Sequence, residues 1–391
     1  MQLDVLIFGA GAAGLWCLDR FRRAGYHAIL LEARALGAGQ TIRAQGIIHG
    51  GGKYALRGVR DFAAVRATSE MPERWRRCLA SETEPDLAAT QVLSDRCYLW
   101  LPRGSFAATV QSFGFMPLLA KAGLLATRPE KLPQPAWPEA LRASAVVVYA
   151  LAEPVVSTGS FLQTLAAQHE GFIFLYDATR LHISEKGVQT AEVTIKPRAI
   201  VLAAGAGNAE LARAAGIEAD LMQRRPLKMV LLRGALPPLF GHCIAGGKTQ
   251  LTITAAAPGL WQAGGEIAER LAEEKNNPRA RQKALRAIRR CLPGLDLSGA
   301  EIALYEAVRA EARTADLRRP SGVHVSRVAP GVIVAWPTKL SLTPVLADEV
   351  FALVNVDLKN PAGYNQKMLP QWPKPSLARY PWEEIEWFPA R

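Results

Sequence analysis

The chain has 391 residues, of which 49% are hydrophobic and 21% charged, and its formal net charge is +12. This composition is typical of a soluble globular protein long enough for two domains, and no apolar stretch reaches the ~20 residues that span a bilayer. The five cysteines are scattered without a C-x-x-C pair, which argues against a disulfide framework and a zinc site. We therefore expect a cytoplasmic protein without a bound metal.

The excess of arginine and lysine permits two interpretations. A positive field attracts anionic substrates, RNA or an anionic membrane surface, and the last of these would place the protein peripherally at a membrane. Alternatively, the basic residues form an ordinary solvated surface. The sequence leaves both interpretations open.

The first 32 residues follow the order strand, glycine-rich turn, helix, strand. The apolar run 4–8 predicts a buried strand, which leads into Gly9, Gly11 and Gly14 at G-x-G-x-x-G spacing. Gly9 permits a tight turn, Gly11 lets the backbone approach a pyrophosphate, and Gly14 lets the helix pack closely on the strand. This arrangement predicts a dinucleotide-binding fold.

Two further features of this segment concern the nucleotide. Ala12 and Ala13 begin the predicted helix, whose positive N-terminus favours phosphate. Glu32 ends the second predicted strand, just before Ala33, and is placed to accept hydrogen bonds from ribose hydroxyls. An acid here suits a free 2′-hydroxyl, which disfavours NADP and leaves FAD and NAD open.

A long glycine-rich loop follows over residues 33–54. It has too many glycines for a helix and too few apolar residues for a core strand, so we expect its backbone to lie along a bound group. The loop resembles the second flavin-contacting segment of the FAD-dependent oxidoreductases related to D-amino-acid oxidase, and most of all the L-2-hydroxyglutarate and glycerol-3-phosphate dehydrogenases. The resemblance implies FAD as the cofactor, contacted by Gln40, Thr41, Gln45, Gly46, Ile47 and His49.

A second stretch with the family pattern covers residues 153–210. Within it, the resemblance places Arg180 and Leu181 against the adenine. A predicted buried strand then ends in Ala204 and Gly205, where small residues let the strand end approach the FAD. This strand end lies far along the chain from the glycine-rich turn at 9–14, so the two patterns are independent indications of the same fold.

The third stretch, residues 325–354, contains the last predicted strand of the nucleotide domain. The family has a glycine-rich turn after it, whose backbone amides hold the flavin pyrimidine edge, whereas this chain has Trp-Pro-Thr-Lys. The resemblance places Lys339, Leu340, Ser341 and Leu342 at the flavin. Lys339 either adds positive charge near the flavin N1 and C2 oxygen or points to solvent.

Two other residues are candidates for the substrate side of the site. His49 lies by resemblance at the flavin or on the substrate face, unless it is simply bonded within a glycine-rich turn. Arg309 falls where relatives of D-amino-acid oxidase carry an arginine that pairs with the substrate carboxylate. Arg313 is its rival. In the alternative interpretation, Arg309 forms an ion pair with Glu306 or Glu311 and serves folding only.

The predicted fold class is α/β (α+β overall), with a Rossmann-like FAD-binding domain and a mixed-sheet substrate domain. The predicted boundaries are 1–75, 151–220 and 325–391 for the discontinuous FAD-binding domain, and 76–150 and 221–324 for the substrate domain. An amphipathic helix is expected within 55–80, and an extended arm from Pro370 onward.

The resemblance implies an FAD-dependent oxidoreductase acting on a C–H bond beside an amine or hydroxyl of a small anionic substrate, an amino acid or a 2-hydroxy acid. Hydride would pass to flavin N5, and oxygen or a quinone would accept the electrons. Three alternatives stay open. The first is a flavoenzyme acting on an amine carried by RNA, which the net charge of +12 suggests. The second is a hydroxy-acid dehydrogenase that feeds electrons to the membrane, and the third is a non-catalytic FAD-bound subunit or scaffold.

Overall fold

The computed structural model describes residues 1–51, 68–104, 129–184, 187–218, 220–246, 248–363 and 372–390. The end of the predicted glycine-rich loop, 52–54, and much of the helix predicted within 55–80 lie outside these residues. The last part of that predicted helix is observed as Met71–Leu79.

Strands and helices are numbered here in chain order over the described residues. The strands are β1 (Gln2–Phe8), β2 (Ala28–Glu32), β3 (Val92–Ser94), β4 (Cys97–Pro102), β5 (Glu130–Lys131), β6 (Ala145–Leu151), β7 (Val155–Val156), β8 (Ile173–Leu175), β9 (His182–Ser184), β10 (Gly187–Gln189), β11 (Thr194–Leu202), β12 (Met222–Arg233), β13 (Phe240–Ala245), β14 (Lys248–Ala257), β15 (Leu260–Gly264), β16 (Glu301–Ala312), β17 (His324–Ala329), β18 (Val332–Trp336) and β19 (Phe388–Pro389). The α-helices are α1 (Ala12–Arg23), α2 (Met71–Leu79), α3 (Glu139–Arg142), α4 (Thr158–Gln168), α5 (Asn208–Ala214), α6 (Glu266–Ala272), α7 (Asn277–Cys291) and α8 (Thr343–Leu358).

The first large sheet, the nucleotide sheet, contains the predicted dinucleotide-binding elements. Its order is β17-β18-β11-β1-β2-β8, and β1 pairs in parallel with both β2 and β11. Helices α1, α4 and α8 pack on one face, while α5 and the end of β16 pack on the other. Burial on both faces explains why β1 and β2 are continuous apolar runs in the sequence. The predicted Rossmann-like α/β class is confirmed.

The second large sheet, the substrate sheet, is mixed and has nine strands in the order β19-β16-β12-β15-β14-β13-β4-β6-β5. Helix α7 covers its outer face with a buried stripe that includes Ala284 and Ile288. Side chains alternate along a strand, so the paired registers put His242, Gln262 and Arg309 together on the opposite, inner face. From this inner face, Gln262 Nε2 donates to the Arg43 carbonyl of the glycine-rich loop at 2.8 Å.

The C-terminal segment contacts both sheets. Leu377 forms a bridge with Leu36, near the start of the glycine-rich loop, and β19 adds an edge strand beside β16. Between these points, Gly159 N at the start of α4 donates a 2.8 Å hydrogen bond to the Tyr380 hydroxyl. The predicted extended arm therefore also contributes strand pairing.

Replacing Tyr380 tests this anchor. Tyr380→Phe should lower the free energy of unfolding by about 1 kcal/mol, because the Gly159 amide loses its acceptor. Denaturant unfolding of the FAD-loaded protein measures the change. Arg379→Gln is the control, since the ion pair of Arg379 with Glu384 is exposed and contributes little. Equal midpoints for Tyr380→Phe and wild type would show that this bond does not hold the arm.

Candidate active site

The glycine-rich turn after β1 packs tightly against the end of β11. Gly9 has a φ of +101°, and a Cβ built on it would lie 2.5 Å from Ala204 Cα. A Cβ on Gly14 would lie 1.9 Å from the Gly9 carbonyl oxygen. Both distances exclude a side chain, so these two glycines are required by the packing of the strand ends and α1.

Gly11 differs because the space beside it is open. A Cβ built there would meet only the Thr41 hydroxyl within 4 Å, at 3.1 Å. Gly11 is the N-cap of α1, whose first turn carries no acid, and Ala12 N donates to Thr41 Oγ1. An open helix N-terminus without a negative side chain fits the pyrophosphate of a dinucleotide.

The Glu32 carboxylate is held by two backbone amides. Ala10 N donates to Oε2 at 2.6 Å, and Arg34 N donates to Oε1 at 2.9 Å. Glu32 is thereby fixed beside the glycine-rich turn, where a dinucleotide ribose lies in this fold. The pKa of the adjacent Tyr176 is raised to about 12, mainly by burial and to a smaller extent by the negative charges of Glu32 and Glu210. This phenol therefore stays neutral.

The other residues expected at the adenosine end lie at the same edge of the nucleotide sheet. Arg180 and Leu181 follow β8, which pairs in parallel with β2, and Arg180 is exposed. Ala204 and Gly205 follow β11, and Trp336 Nε1 donates to the Gly205 carbonyl at 3.0 Å. The structure thus brings these residues to the edge where the glycine-rich turn begins.

Residues 37–51, called the bridging loop below, lie between the two large sheets. On one side, Thr41 Oγ1 accepts from Ala12 N at the start of α1. On the other, Ala310 N of β16 donates to Gln40 Oε1 at 2.6 Å. The bridging loop is therefore bonded to both halves of the molecule.

The middle of the bridging loop is fixed to the inner face of the substrate sheet. Gln45 Nε2 donates to Thr252 O at 3.1 Å and to Gln262 O at 2.9 Å. Val156 N donates to the Gly46 carbonyl at 3.0 Å, and Ile47 forms a bridge with the neighbouring residue of β7. The expected flavin-contacting backbone is thus a rigid strip bonded on both edges.

A row of buried polar side chains on the inner face was not found from the sequence. It contains Thr252, Thr254, Gln262 and Tyr305. Gln262 Nε2 donates to the Tyr305 hydroxyl. Burial raises the pKa of Tyr305, although this hydrogen bond and the charge of Arg43 act in the opposite direction. The alternation of threonines in β14 was the available signal, because polar groups on a buried face point to a lined cavity.

His49 lies in a cluster with Glu153 and His242. Its Nδ1 is 3.3 Å from Glu153 Oε2, and its ring centroid is 5.3 Å from that of His242. Glu153 is 1% exposed and His242 is fully buried. The sequence placed His49 alone near the flavin, whereas the structure adds two partners from distant parts of the chain.

Arg309 lies on the inner face of β16 beside a buried carboxylate. Its Nε is 3.9 Å from Glu311 Oε1, and its Nη1 is 4.0 Å from Glu269 Oε1, both beyond hydrogen-bond distance. Glu306 is on the opposite face of the strand. The rival Arg313 is paired with Asp220 at 2.6 Å, outside β16.

Lys339 is buried rather than directed to solvent. Only 7% of the residue is exposed, and its Nζ donates to the Ser321 carbonyl at 2.9 Å. Thr338 before it has a φ of +63°, which a glycine would adopt without strain. Trp75 Nε1 donates to the Ser341 carbonyl at 3.1 Å. The turn that replaces the glycine-rich one is therefore fixed by side-chain contacts.

Comparisons with known proteins identify the family of this chain. A family model described as FAD dependent oxidoreductase (DAO) matches residues 4–349. The chain belongs to this family. It is 37% identical, over 98% of both chains, to the probable FAD-dependent oxidoreductase PA4991 of Pseudomonas aeruginosa, whose crystal structure matches with a TM-score of 0.82.

More distant solved structures share the fold. Glycine oxidase from Geobacillus kaustophilus matches with a TM-score of 0.66 at 15% identity, covering 95% of this chain and 99% of that one. L-alpha-glycerophosphate oxidase from Mycoplasma pneumoniae, with FAD bound, matches with a TM-score of 0.65 at 15% identity, covering 97% and 100%.

The protein described here is an FAD-dependent oxidoreductase, and the predicted cofactor is confirmed. Within the part of the chain that the structure describes, none of the helices has the length and hydropathy of a membrane span.

Gly11 provides the sharpest test of the pyrophosphate position. Gly11→Val should abolish FAD binding, because the added side chain fills the open space at the helix N-terminus. Flavin absorbance per purified chain measures the loss. Gly299→Val is the matched control, since a Cβ there meets nothing within 4 Å. Full flavin content in Gly11→Val would place the pyrophosphate elsewhere.

Glu32 tests the ribose contact. Glu32→Ala should weaken FAD binding by about one to two orders of magnitude, because a charge-assisted hydrogen bond contributes roughly 1.5–3 kcal/mol. Titration of the apoprotein with FAD gives the dissociation constant. An unchanged constant would limit Glu32 to its bonds with Ala10 N and Arg34 N.

Proposed function

We propose that the protein oxidises a C–H bond beside the amine or hydroxyl of a small anionic substrate, an amino acid or a 2-hydroxy acid, with hydride passing to flavin N5. The observation that carries this proposal is the excess of arginine around Arg309 on the inner face. FAD supplies the redox chemistry when bound. The contribution of the chain is to bind the substrate anion and to orient the reacting carbon.

The charge balance around Arg309 favours an anionic ligand. The guanidinium groups of Arg225, Arg309 and Arg319 lie within 3.4–3.9 Å of one carboxylate, that of Glu311, which is fully buried. Three arginines therefore surround one buried carboxylate, and the half-exposed carboxylate of Glu269 lies 4.0 Å from Arg309 Nη1. A substrate carboxylate would balance this excess further, and the planar fork of arginine suits bidentate pairing with it.

The position of Arg309 supports the same assignment. Its neighbour Ala310 donates to Gln40 of the bridging loop, the segment expected to contact the flavin. Tyr305 and Gln262, in the polar row next along the inner face, offer hydrogen-bonding groups for an amine or hydroxyl. Because its raised pKa keeps Tyr305 neutral, it would hold the substrate without adding charge.

The structural neighbours give a supporting analogy. They include glycine oxidase, L-amino acid deaminase, L-proline dehydrogenase and iminodiacetate oxidase, at 15% identity or less. At this identity the likeness establishes the fold alone. Each named substrate nevertheless pairs an amine with a carboxylate, which is the chemistry that Arg309 would recognise.

The decisive experiment is anaerobic mixing of the oxidised protein with a panel of amino acids and 2-hydroxy acids. A true substrate bleaches the flavin band near 450 nm, as hydride transfer to N5 requires (about one flavin per substrate oxidised). Oxygen consumption against dye or quinone reduction then separates an oxidase from a dehydrogenase. A flavin that no member of the panel bleaches would contradict the proposal and favour a non-catalytic FAD-bound subunit.

Substitution of Arg309 tests the anchor for the anion. Arg309→Lys should raise KM and slow flavin reduction together, because the charge remains but the fork is lost. Arg309→Leu should cost about 3–5 kcal/mol in transition-state binding, with normal FAD content in both variants. Arg313→Leu is the control, since Arg313 is engaged by Asp220. Lower thermal stability with wild-type flavin reduction would instead assign Arg309 to folding.

A further inference from the structure

The cluster of His49, Glu153 and His242 is a candidate metal site. One potential ligand atom from each residue lies within 4.8 Å of the others. The three residues come from the bridging loop, the connection between β6 and β7, and β13, and they meet between the two large sheets. We propose that they bind a divalent transition-metal ion.

Two contacts hold the ligands in place. Gly50 N donates to Glu153 Oε1 at 2.8 Å, so Oε2 is the oxygen that faces His49. His242 Nδ1 is 2.8 Å from Thr252 Oγ1, so coordination is assigned to His242 Nε2. Outer contacts of this kind fix the tautomer and ring orientation of metal-binding histidines.

The spacing suits coordination after a small adjustment. With metal–ligand distances of about 2.0–2.1 Å, the ligand atoms of a tetrahedral site are about 3.4 Å apart. The separation of His49 Nδ1 from Glu153 Oε2, 3.3 Å, already has this value. The widest separation, at most 4.8 Å, must shorten by no more than about 1.4 Å.

The donor set defines the class of ion. Two imidazoles and one carboxylate suit zinc and its neighbours among the first-row metals, whereas calcium and magnesium prefer oxygen ligands alone. Three protein ligands leave a fourth position for water, as in open zinc sites.

This site is separate from the proposed substrate anchor. His242 is on β13 and Arg309 on β16, and three strands lie between them in the sheet. Four strand spacings of about 4.8 Å put the two clusters about 19 Å apart across the sheet. A small amino acid or hydroxy acid cannot contact both, so the metal proposal does not depend on the proposed function.

The test uses the FAD-loaded protein, stripped with a chelator and dialysed against dilute zinc chloride. Bound zinc is measured by elemental analysis. We expect one zinc per chain in wild type and a loss of at least tenfold in affinity in Glu153→Gln and in His242→Gln. Glu153→Gln retains an oxygen that accepts from Gly50 N, so it should still fold. His182→Gln, at an exposed histidine of β9, is the control and should keep its zinc.

Thermal unfolding with and without zinc gives an independent readout, because an ion that binds only the folded state raises the unfolding temperature. Zinc should stabilise wild type and His182→Gln but not Glu153→Gln. Wild type that carries no more zinc than Glu153→Gln would overturn the proposal, and the three residues would then be a hydrogen-bonded cluster only. FAD content and flavin reduction do not enter this test, so its failure is distinct from failure of the proposed function.

Discussion

The bonds that hold the bridging loop between the two large sheets set the geometry of the site. The Gln45 side-chain amide donates hydrogen bonds to backbone carbonyl groups of both β14 and β15. The Gln40 side-chain oxygen accepts a hydrogen bond from a backbone amide of β16. An unsatisfied buried backbone group costs about 1–3 kcal/mol, so loss of either glutamine penalises the strand as well as the loop. The loop, the inner face and the glycine-rich turn are therefore positioned together.

The glycines near the cofactor have two different physical causes. At Gly46, where φ is +71°, a Cβ would lie 2.0 Å from the Val156 carbonyl oxygen, so packing against β7 excludes any side chain. At Gly11 a Cβ would meet only Thr41 Oγ1 within 4 Å, at 3.1 Å, and the remaining space is open, as a bound pyrophosphate would require. A glycine-rich sequence alone does not distinguish these causes, because both select glycine. The atoms that surround a Cβ built on each glycine distinguish them.

The parts that were predictable from the sequence are those whose information is local. The unit β1–α1–β2 was predicted because its strand, turn and helix signals lie within 32 consecutive residues. The cluster at His49 was not, because Glu153 is 104 residues away and no spacing rule joins them. Lys339 shows the same limit: its partner, the Ser321 carbonyl, lies in an irregular segment. Which face of β16 carries Arg309 followed only from the register with β12.

The net charge of +12 suggested an anionic partner. The structure divides the basic residues into those on the outer surface and those at the candidate site. Helix α7 carries its basic residues on the side away from the inner face. Two of these residues have partners within the protein: Lys283 pairs with Glu274 at 2.6 Å, and Arg281 stacks 3.6 Å above the Phe388 ring. Arginines on the inner face instead surround the fully buried Glu311, where desolvation strengthens every electrostatic interaction. Under the proposed function, substrate selection depends on the few inner-face arginines, which the overall charge does not report.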